Sequence, residues 1–408
     1  MSAALRAGYK LTEVGVIPKD WVVMPFGQFA APRKERIDPR RAGVQEFCVE
    51  LEHIGQASGN LIGSTSTGDA SSLKTVFQID DVLFGKLRAY LRKYWLADSK
   101  GVCSTEVWAL VANSNLAVPS YVYQVVTSEA FIEAASNSYG THMPRSDWNL
   151  VKSGLFALPQ LHEQRAIATA LSDVDALLAK QGQLIAKKQG LKQAAMQQLL
   201  TGQTRLPGFS GDWEVKRLGD VGRFLKGGGV KKDQSLSGEI PCIRYGEIYT
   251  RHNDHVKVFY SWISPEVALT ATKLHKGDLC FAGSGETKED IGKCVAFTEK
   301  FEAYAGGDIV ILRPHGANSV FLGYYLNTNP INAQKASKGQ GDAVVHISAS
   351  ALSSIEISVP TFEEQTAIAT ILSDMDTEIA ALEERQTKTR ALKQGMMQEL
   401  LTGKTRLV

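Results

Sequence analysis

The sequence contains no run of about eighteen apolar residues, so no segment qualifies as a membrane-spanning helix. Its opening, MSAALRAGYKLTEVG, lacks the apolar centre of a secretory signal, and a cytoplasmic protein is expected. Cysteine is sparse: Cys48, Cys103, Cys242, Cys280 and Cys294. The number is odd and no C-x-x-C occurs, which argues against a disulfide framework and a structural zinc site. These are expected to be small buried residues in a reducing compartment. Net charge is also low, +2 over 408 residues with a pI near 8.1. That is below the value of about 9 typical of a dedicated nucleic-acid domain. Any polyanion-binding face must therefore come from local clustering.

Catalytic signatures are equally scarce. A P-loop needs G-x-x-x-x-G-K-S/T. The nearest approach is Gly292-Lys293-Cys294, with Thr287 where the first glycine should stand and cysteine in place of the hydroxyl residue. His252 and His255 have i, i+3 spacing but no evident third ligand, so no metal is expected. Gly227-Gly-Gly229 and Ala282-Gly-Ser-Gly285 read as turns rather than phosphate cradles.

What the chain does have is an internal duplication. Residues 158–206, LPQLHEQRAIATALSDVDALLAKQGQLIAKKQGLKQAAMQQLLTGQTRL, align without a gap to residues 359–407, VPTFEEQTAIATILSDMDTEIAALEERQTKTRALKQGMMQELLTGKTRL, with about half the positions identical. The period is far longer than the roughly 20–50 residues of a solenoid repeat, so it marks two large halves. The halves also open alike, Ile17-Pro-Lys-Asp-Trp21 echoing Phe209-Ser-Gly-Asp-Trp213. Between these markers they diverge, sharing little beyond Asp80-Asp81-Val82-Leu83-Phe84 and Gly277-Asp278-Leu279-Cys280-Phe281.

Helical spacing dominates the repeated segments. Pro159 and Pro360 end strand-like stretches, and a short helix carries Ile167 and Leu171, matched by Ile368 and Leu372. Ser172-x-x-Asp175 and Ser373-x-x-Asp376 resemble capping boxes, so a second helix of about 28 residues is expected from there. Its apolar positions are Leu177, Leu178, Leu184, Ile185, Leu191, Ala195 and Leu199 in one copy, and Met375, Ile379, Leu382, Leu392, Met396 and Leu400 in the other. Gly202 and Gly403 suit the left-handed residue that ends each helix. A long apolar stripe must be buried, and its own copy is the simplest partner. The divergent parts read as mixed α/β, with strand-like Val76–Ile79, Val107–Val111 and Ile309–Leu312, and helical Tyr121–Ser136 and Val320–Asn329.

Two divergent domains, each followed by a segment beginning P-x-x-x-E-Q-x-x-I and ending L-L-T-G-x-T-R-L, resemble the specificity subunits of type I restriction–modification enzymes. The residues carrying the likeness are Pro159, Glu163, Gln164, Ile167 and Leu199–Leu206, with Pro360, Glu364, Gln365, Ile368 and Leu400–Leu407. Trp21…Phe26-Gly27 and Trp213…Leu218-Gly219 fit, as do residues 81–88 and 277–281, so the resemblance spans essentially the whole chain. It implies an α+β protein of two α/β target-recognition domains, each followed by a long helix, the helices forming an antiparallel coiled coil with pseudo-twofold symmetry. Expected bounds are 1–157 and 207–358 for the recognition domains, and 158–206 and 359–408 for the helical spacers. The resemblance further implies a non-catalytic, bacterial or archaeal DNA-specificity subunit. Each domain would read one half of an asymmetric bipartite site in double-stranded DNA. The spacers, through Leu177, Leu184, Leu191, Leu199, Ile379, Leu382, Leu392 and Leu400, would form the coiled coil and dock two methyltransferase subunits. Two restriction (translocase–nuclease) subunits would complete the assembly. S-adenosylmethionine, ATP and magnesium would belong to those partners. No Pro-Pro occurs, so the Asn/Asp-Pro-Pro-aromatic motif of such a methyltransferase is missing from this chain.

DNA contacts are expected from basic stretches with interleaved aromatics, since Lys and Arg neutralise phosphates and Arg also grips guanine. In the first half these are Arg33, Lys34 and Arg36; Lys86, Arg88, Tyr90, Arg92 and Lys93; and His142 with Arg145. In the second half they are Lys226, Lys231 and Lys232 around the triple glycine, then Arg244, Tyr245, Arg251, Ser284, Lys288, Lys338 and His346. Alternatives are a specificity subunit of a stand-alone or type II-like methyltransferase system, a scaffold using the helices only for assembly, and an enzyme with an unfamiliar motif.

Overall fold

The computed structural model describes residues 6–68, 72–137, 144–341 and 344–407. The chain divides into two compact units, Met1–Gly182 with Glu384–Val408, and Gln183–Glu383. Each is an α/β domain packed against a pair of helical segments. Those segments come from two long helices, a first arm (Leu161–Leu199) and a second arm (Phe362–Leu400), each of 39 residues.

The break expected at Ser172 and Ser373 does not exist: each arm is one uninterrupted helix. The aspartates of the supposed capping boxes serve as ion-pair partners instead. Lys393 Nζ meets Asp175 Oδ1 at 2.6 Å in the first unit, and Lys192 Nζ meets Asp376 Oδ1 at 2.8 Å in the second. With those carboxylates engaged on the helix flank and no proline inside either segment, nothing interrupts the backbone ladder.

Within each unit the two arm segments run antiparallel. In the first unit Gln181 donates to Thr389 Oγ1 (3.2 Å), and Glu163 pairs with Arg406. In the second, Lys188 pairs with Glu378 and Arg205 with Glu364. The Glu163–Arg406 and Asp175–Lys393 pairs of the first unit are repeated by Glu364–Arg205 and Asp376–Lys192 in the second, as the duplication of the sequence leads one to expect. Ile185, Leu199, Ile379 and Leu400 are buried, whereas Leu177, Leu184, Leu191 and Leu392 lie 40–60% exposed on the outer side of the arms.

The divergent sequences form closely similar two-sheet folds, which differ in where the edge strand of one sheet is added. In the first domain one sheet runs in the order Arg36–Ile37, Lys74–Phe77, Gly101–Ser104, Cys48–Val49, and the other in the order Ala30–Pro32, Val107–Ala112, Val82–Gly85, Tyr94–Leu96. In the second domain one order is Ser261–Ile263, Ile240–Ile243, Tyr304–Ala305, Thr272–Lys273, and the other Gly222–Lys226, Ile309–Pro314, Leu279–Ala282, Cys294–Ala296. In each, one parallel pairing joins the equivalent strands: Val102↔Cys48 in the first and Tyr304↔Cys242 in the second. A two-stranded ribbon closes each domain onto its arm, Val22–Pro25 with Leu155–Leu158 and Glu214–Arg217 with Glu356–Val359. The helical stretch expected over Tyr121–Ser136 is split at Ser128, whose hydroxyl caps the second piece, giving Pro119–Thr127 and Glu129–Ser136. Its counterpart is Ser319–Tyr325 followed by Asn329–Lys338.

The few motifs shared by the divergent parts have local causes. Asp80 and Gly277 both adopt positive φ (70° and 95°), a conformation glycine takes freely and aspartate tolerates. The next residue caps that turn: Asp81 accepts from Gln78 N–H and Asp278 from His275 N–H, each at 2.8 Å. Each aspartate also takes a two-bond clamp from an arginine, Arg33 just past the strand Ala30–Pro32 in one domain and Arg313 within the strand Ile309–Pro314 in the other.

Candidate nucleic-acid interface

The arm signatures lock each unit together. Glu163 is fully buried and accepts from Trp21 Nε1 (2.9 Å) and from Arg406 Nε and Nη2 (2.6 and 2.8 Å). Gln164 accepts from Val118 N–H and donates to the Leu116 and Pro159 carbonyls, seating the recognition domain on the helix. Gln365 repeats this with Asn318 N–H and the Pro360 carbonyl. The E-Q and T-R-L signatures are thus two ends of one structural clamp, and lie outside the set of exposed cations.

The sequence-predicted contact residues separate by environment. Arg33 is held by buried Asp81, Arg92 by Glu129 (Nη1–Oε1 2.8 Å), and Lys93 by the Leu51 carbonyl (2.8 Å). The equivalent Lys293 clamps the His252 carbonyl at 2.6 Å. Lys34, Arg36, Arg88, Lys226, Lys231, Lys232, Arg251 and Lys288 are exposed, with no carboxylate partner among the described residues. Lys86, Arg244 and Lys338 are half-buried, Tyr90 is exposed, Tyr245 borders on exposed, and Arg251 stacks over Tyr260 at 5.2 Å. His142 lies outside the described residues.

Residues far apart in sequence are brought together at one edge of each domain. Leu87 bridges Arg145, which places Lys86, Arg88 and Arg145 in a single patch. Ser284 pairs with His346, and His346 also exchanges backbone hydrogen bonds with Gln340, two residues past Lys338. Sequence reasoning missed Glu106, whose carboxylate holds Arg145 Nε at 3.0 Å, because the partner lies 39 residues away. It also missed Tyr249, whose buried hydroxyl lies against Gly285.

All five cysteines are free and buried, and burial pushes Cys48 up to about 11 and Cys242 and Cys294 to about 12, so these thiols stay protonated. Burial lowers His252 to about 4, keeping that imidazole neutral. Among the described residues no three His, Cys, Asp or Glu side chains gather as a metal site.

Comparison with known proteins agrees with these features. Residues 210–391 match the family described as type I restriction modification DNA specificity domain. The type I restriction enzyme MjaVIII specificity subunit of Methanocaldococcus jannaschii is 25% identical over 326 residues, covering 76% of this chain and 75% of that protein. A putative MjaX specificity subunit from the same organism is 23% identical over 98% of this chain and 97% of its own length. In fold, the solved type I restriction–modification S subunit from M. genitalium superimposes with a TM-score of 0.61 at 15% identity, covering 96% of this chain and 98% of that one.

Proposed function

Because the chain belongs to the type I restriction–modification specificity subunits, we propose that its two recognition domains each read one half of an asymmetric, bipartite site in double-stranded DNA. The observation that carries this reading is one fold built twice with unlike surfaces. Two identical readers would specify a palindrome, whereas two unlike readers specify two unlike half-sites. The exposed cations on each domain, without a carboxylate partner among the described residues, suit phosphate neutralisation, and aromatic Tyr90 and Tyr245 stand among them.

The arms set the number of unread base pairs between the half-sites. Each is a single proline-free helix of 39 residues, roughly 58 Å at 1.5 Å per residue, and helix of that kind is stiff enough to act as a spacer. Leu177, Leu184 and Leu191 recur every seven residues on the exposed side of the first arm, and Leu392 is exposed on the second. Such a stripe is the docking face for helices of two methyltransferase subunits. Restriction subunits join through them, and the cofactors S-adenosylmethionine, ATP and magnesium sit on those partners.

The test is to co-express the chain with its methyltransferase partner and to sequence methylated adenines in the host DNA. One split, non-palindromic motif with a fixed gap is expected. Methylation without a split motif, or a motif whose halves are identical, would overturn the reading.

A further inference from the structure

Both recognition domains carry the same backbone device at the patch described above. In the first, the strand Val82–Gly85 runs on into Lys86–Arg88, where Lys86 N–H donates to the Glu106 carbonyl (3.0 Å) and Ser146 N–H to the Lys86 carbonyl (2.8 Å). In the second, the strand Leu279–Ala282 runs on into Gly283–Gly285, where Gly283 N–H donates to the Asp308 carbonyl (2.7 Å) and Ile347 N–H to the Gly283 carbonyl (3.0 Å). The antiparallel bridge Leu87↔Arg145 is therefore the counterpart of Ser284↔His346.

Both of these backbone bonds are retained while every side chain on the frame differs. That contrast separates two kinds of contact. Phosphates are the same in every half-site, so a phosphate clamp has no reason to differ between the domains. Groups that read base edges must differ if the half-sites differ. Where the domains do share a cation, at Lys93 and Lys293, both are occupied with backbone carbonyls of their own domain.

Each bridge also presents one exposed polar group that is steadied from behind. Arg145 is bound through Nε by Glu106, and its two terminal amino groups have no partner among the described residues. His346 shares a 2.8 Å hydrogen bond between Nδ1 and the buried Ser284 hydroxyl, and its Nε2 has no partner among the described residues. Beside Arg145, Arg88 is held at φ 53°, a left-handed conformation uncommon for a side chain of this size and concentrated at functional loops.

We infer that Arg145 and His346 are the base-reading residues of their respective half-sites, with Glu106 and Ser284 as positioning residues. The inference rests on the DNA-reading function proposed above and names where that reading happens. The free fork of Arg145 matches the O6 and N7 of guanine in the major groove, two acceptors a guanidinium bonds at once. His346 offers a single ring nitrogen, whose role as donor or acceptor is set by the sense of its bond to Ser284, so its discrimination is weaker.

The experiment uses the intact methyltransferase complex and a panel of duplexes in which each base pair of the recognised site is permuted. Arg145→Ala is expected to lose about five- to hundredfold discrimination at one guanine of one half-site, leaving the other half-site untouched. His346→Ala should relax one position of the other half-site, a few-fold. Neither should alter the slope of log affinity against log salt. Glu106→Ala should reproduce part of the Arg145→Ala relaxation, and Glu106→Gln, which still accepts from Nε, should restore discrimination. Melting temperatures of the variants report whether the exposed substitutions leave the fold intact. Two outcomes overturn the inference: discrimination unchanged in folded variants, or affinity lost equally for all sequences with the salt slope lowered by about one, which marks a phosphate clamp. Either leaves the DNA-reading function standing, because the wild-type complex on the same panel tests that function separately.

Discussion

Lys335 shows how far burial can move a single residue from its ordinary behaviour. Its ammonium donates to the carbonyls of Gly292 and Leu326 at 2.8 and 2.9 Å, with no carboxylate partner among the described residues. Burial lowers its pKa from 10.5 to about 8. The unfolded chain therefore binds more protons than the folded one between those values, and stability rises with pH across that window. Below about pH 8 the full cost of the buried charge is present, of order 3 kcal/mol from the size of the shift. The difference in unfolding free energy between the wild type and Lys335→Met should accordingly move in favour of the wild type from pH 7.5 to 10. A flat difference would show that the amine is not desolvated as the structure has it. The basic stretch 86–93 makes a second prediction at this scale. Lys86→Ala with Arg88→Ala should lower DNA affinity and flatten its salt dependence without changing the melting temperature. Arg92→Ala with Lys93→Ala should do the reverse, because those cations hold Glu129 and the Leu51 carbonyl. Titrating both variants against one duplex at several salt concentrations, alongside their melting curves, separates the two pairs. In the sequence these four residues are indistinguishable, since what divides them lies across the fold: the partner of Arg92 is 37 positions away and that of Lys93 is 42.

The helical arms were legible because their information is local and written twice. Spacing, the glycine stops and the matching copies all point to paired helices, whereas the antiparallel sense is implied only by the family resemblance. Two features escaped. Ser172 looks like a cap, yet the helix runs through it because Asp175 is drawn to Lys393 rather than to the backbone. Leu177, Leu184 and Leu191 look like the seam, yet the buried positions beside them are Gln181 and Ile185, a shift of one helical face that spacing alone does not define. The recognition folds were hardest to read, since their strands are short and their sequences unlike, and only the Asp81 and Asp278 turns betray a common plan. The duplicated signature residues make a firm prediction at this scale. Arg406→Ala strips the cation from Glu163, a carboxylate with no solvent exposure, and should cost about 3 kcal/mol. Urea unfolding monitored by fluorescence is suited to this, because Trp21 donates to the same carboxylate. Arg205→Ala should do the same to the unit that contains Glu364. A loss below about 0.5 kcal/mol would place the pair among weak surface ion pairs.

At the scale of the molecule, the division of the chain is not the division of its sequence. The first unit is completed by residues 384–408, which are separated from the rest of it by the whole of the second unit. That segment contributes Thr389 against Gln181, Lys393 against Asp175, Leu400 to the core around Trp21, Ile167 and Leu171, and Arg406 to Glu163. Tyr9 even reaches the Gly403 carbonyl at 2.9 Å. Removing residues 384–408 would uncover that apolar face and leave the carboxylates of Asp175 and Glu163 without their cations, which is far more than the loss of a surface tail. The second unit keeps all its segments, including Leu199 and Leu200 in its own core. Amide hydrogen exchange on a chain ending at Glu383 should therefore show residues 161–182 and the ribbon Val22–Pro25 losing protection, while the strand Ile309–Pro314 stays as slow as in the full chain. Adding a synthetic peptide of residues 384–408 should restore protection in the first unit alone, with Arg406→Ala in the peptide weakening the rescue. Uniform loss across both units would mean that they fold as one cooperative body. No loss at all would mean that the second arm is dispensable to the recognition domain it covers.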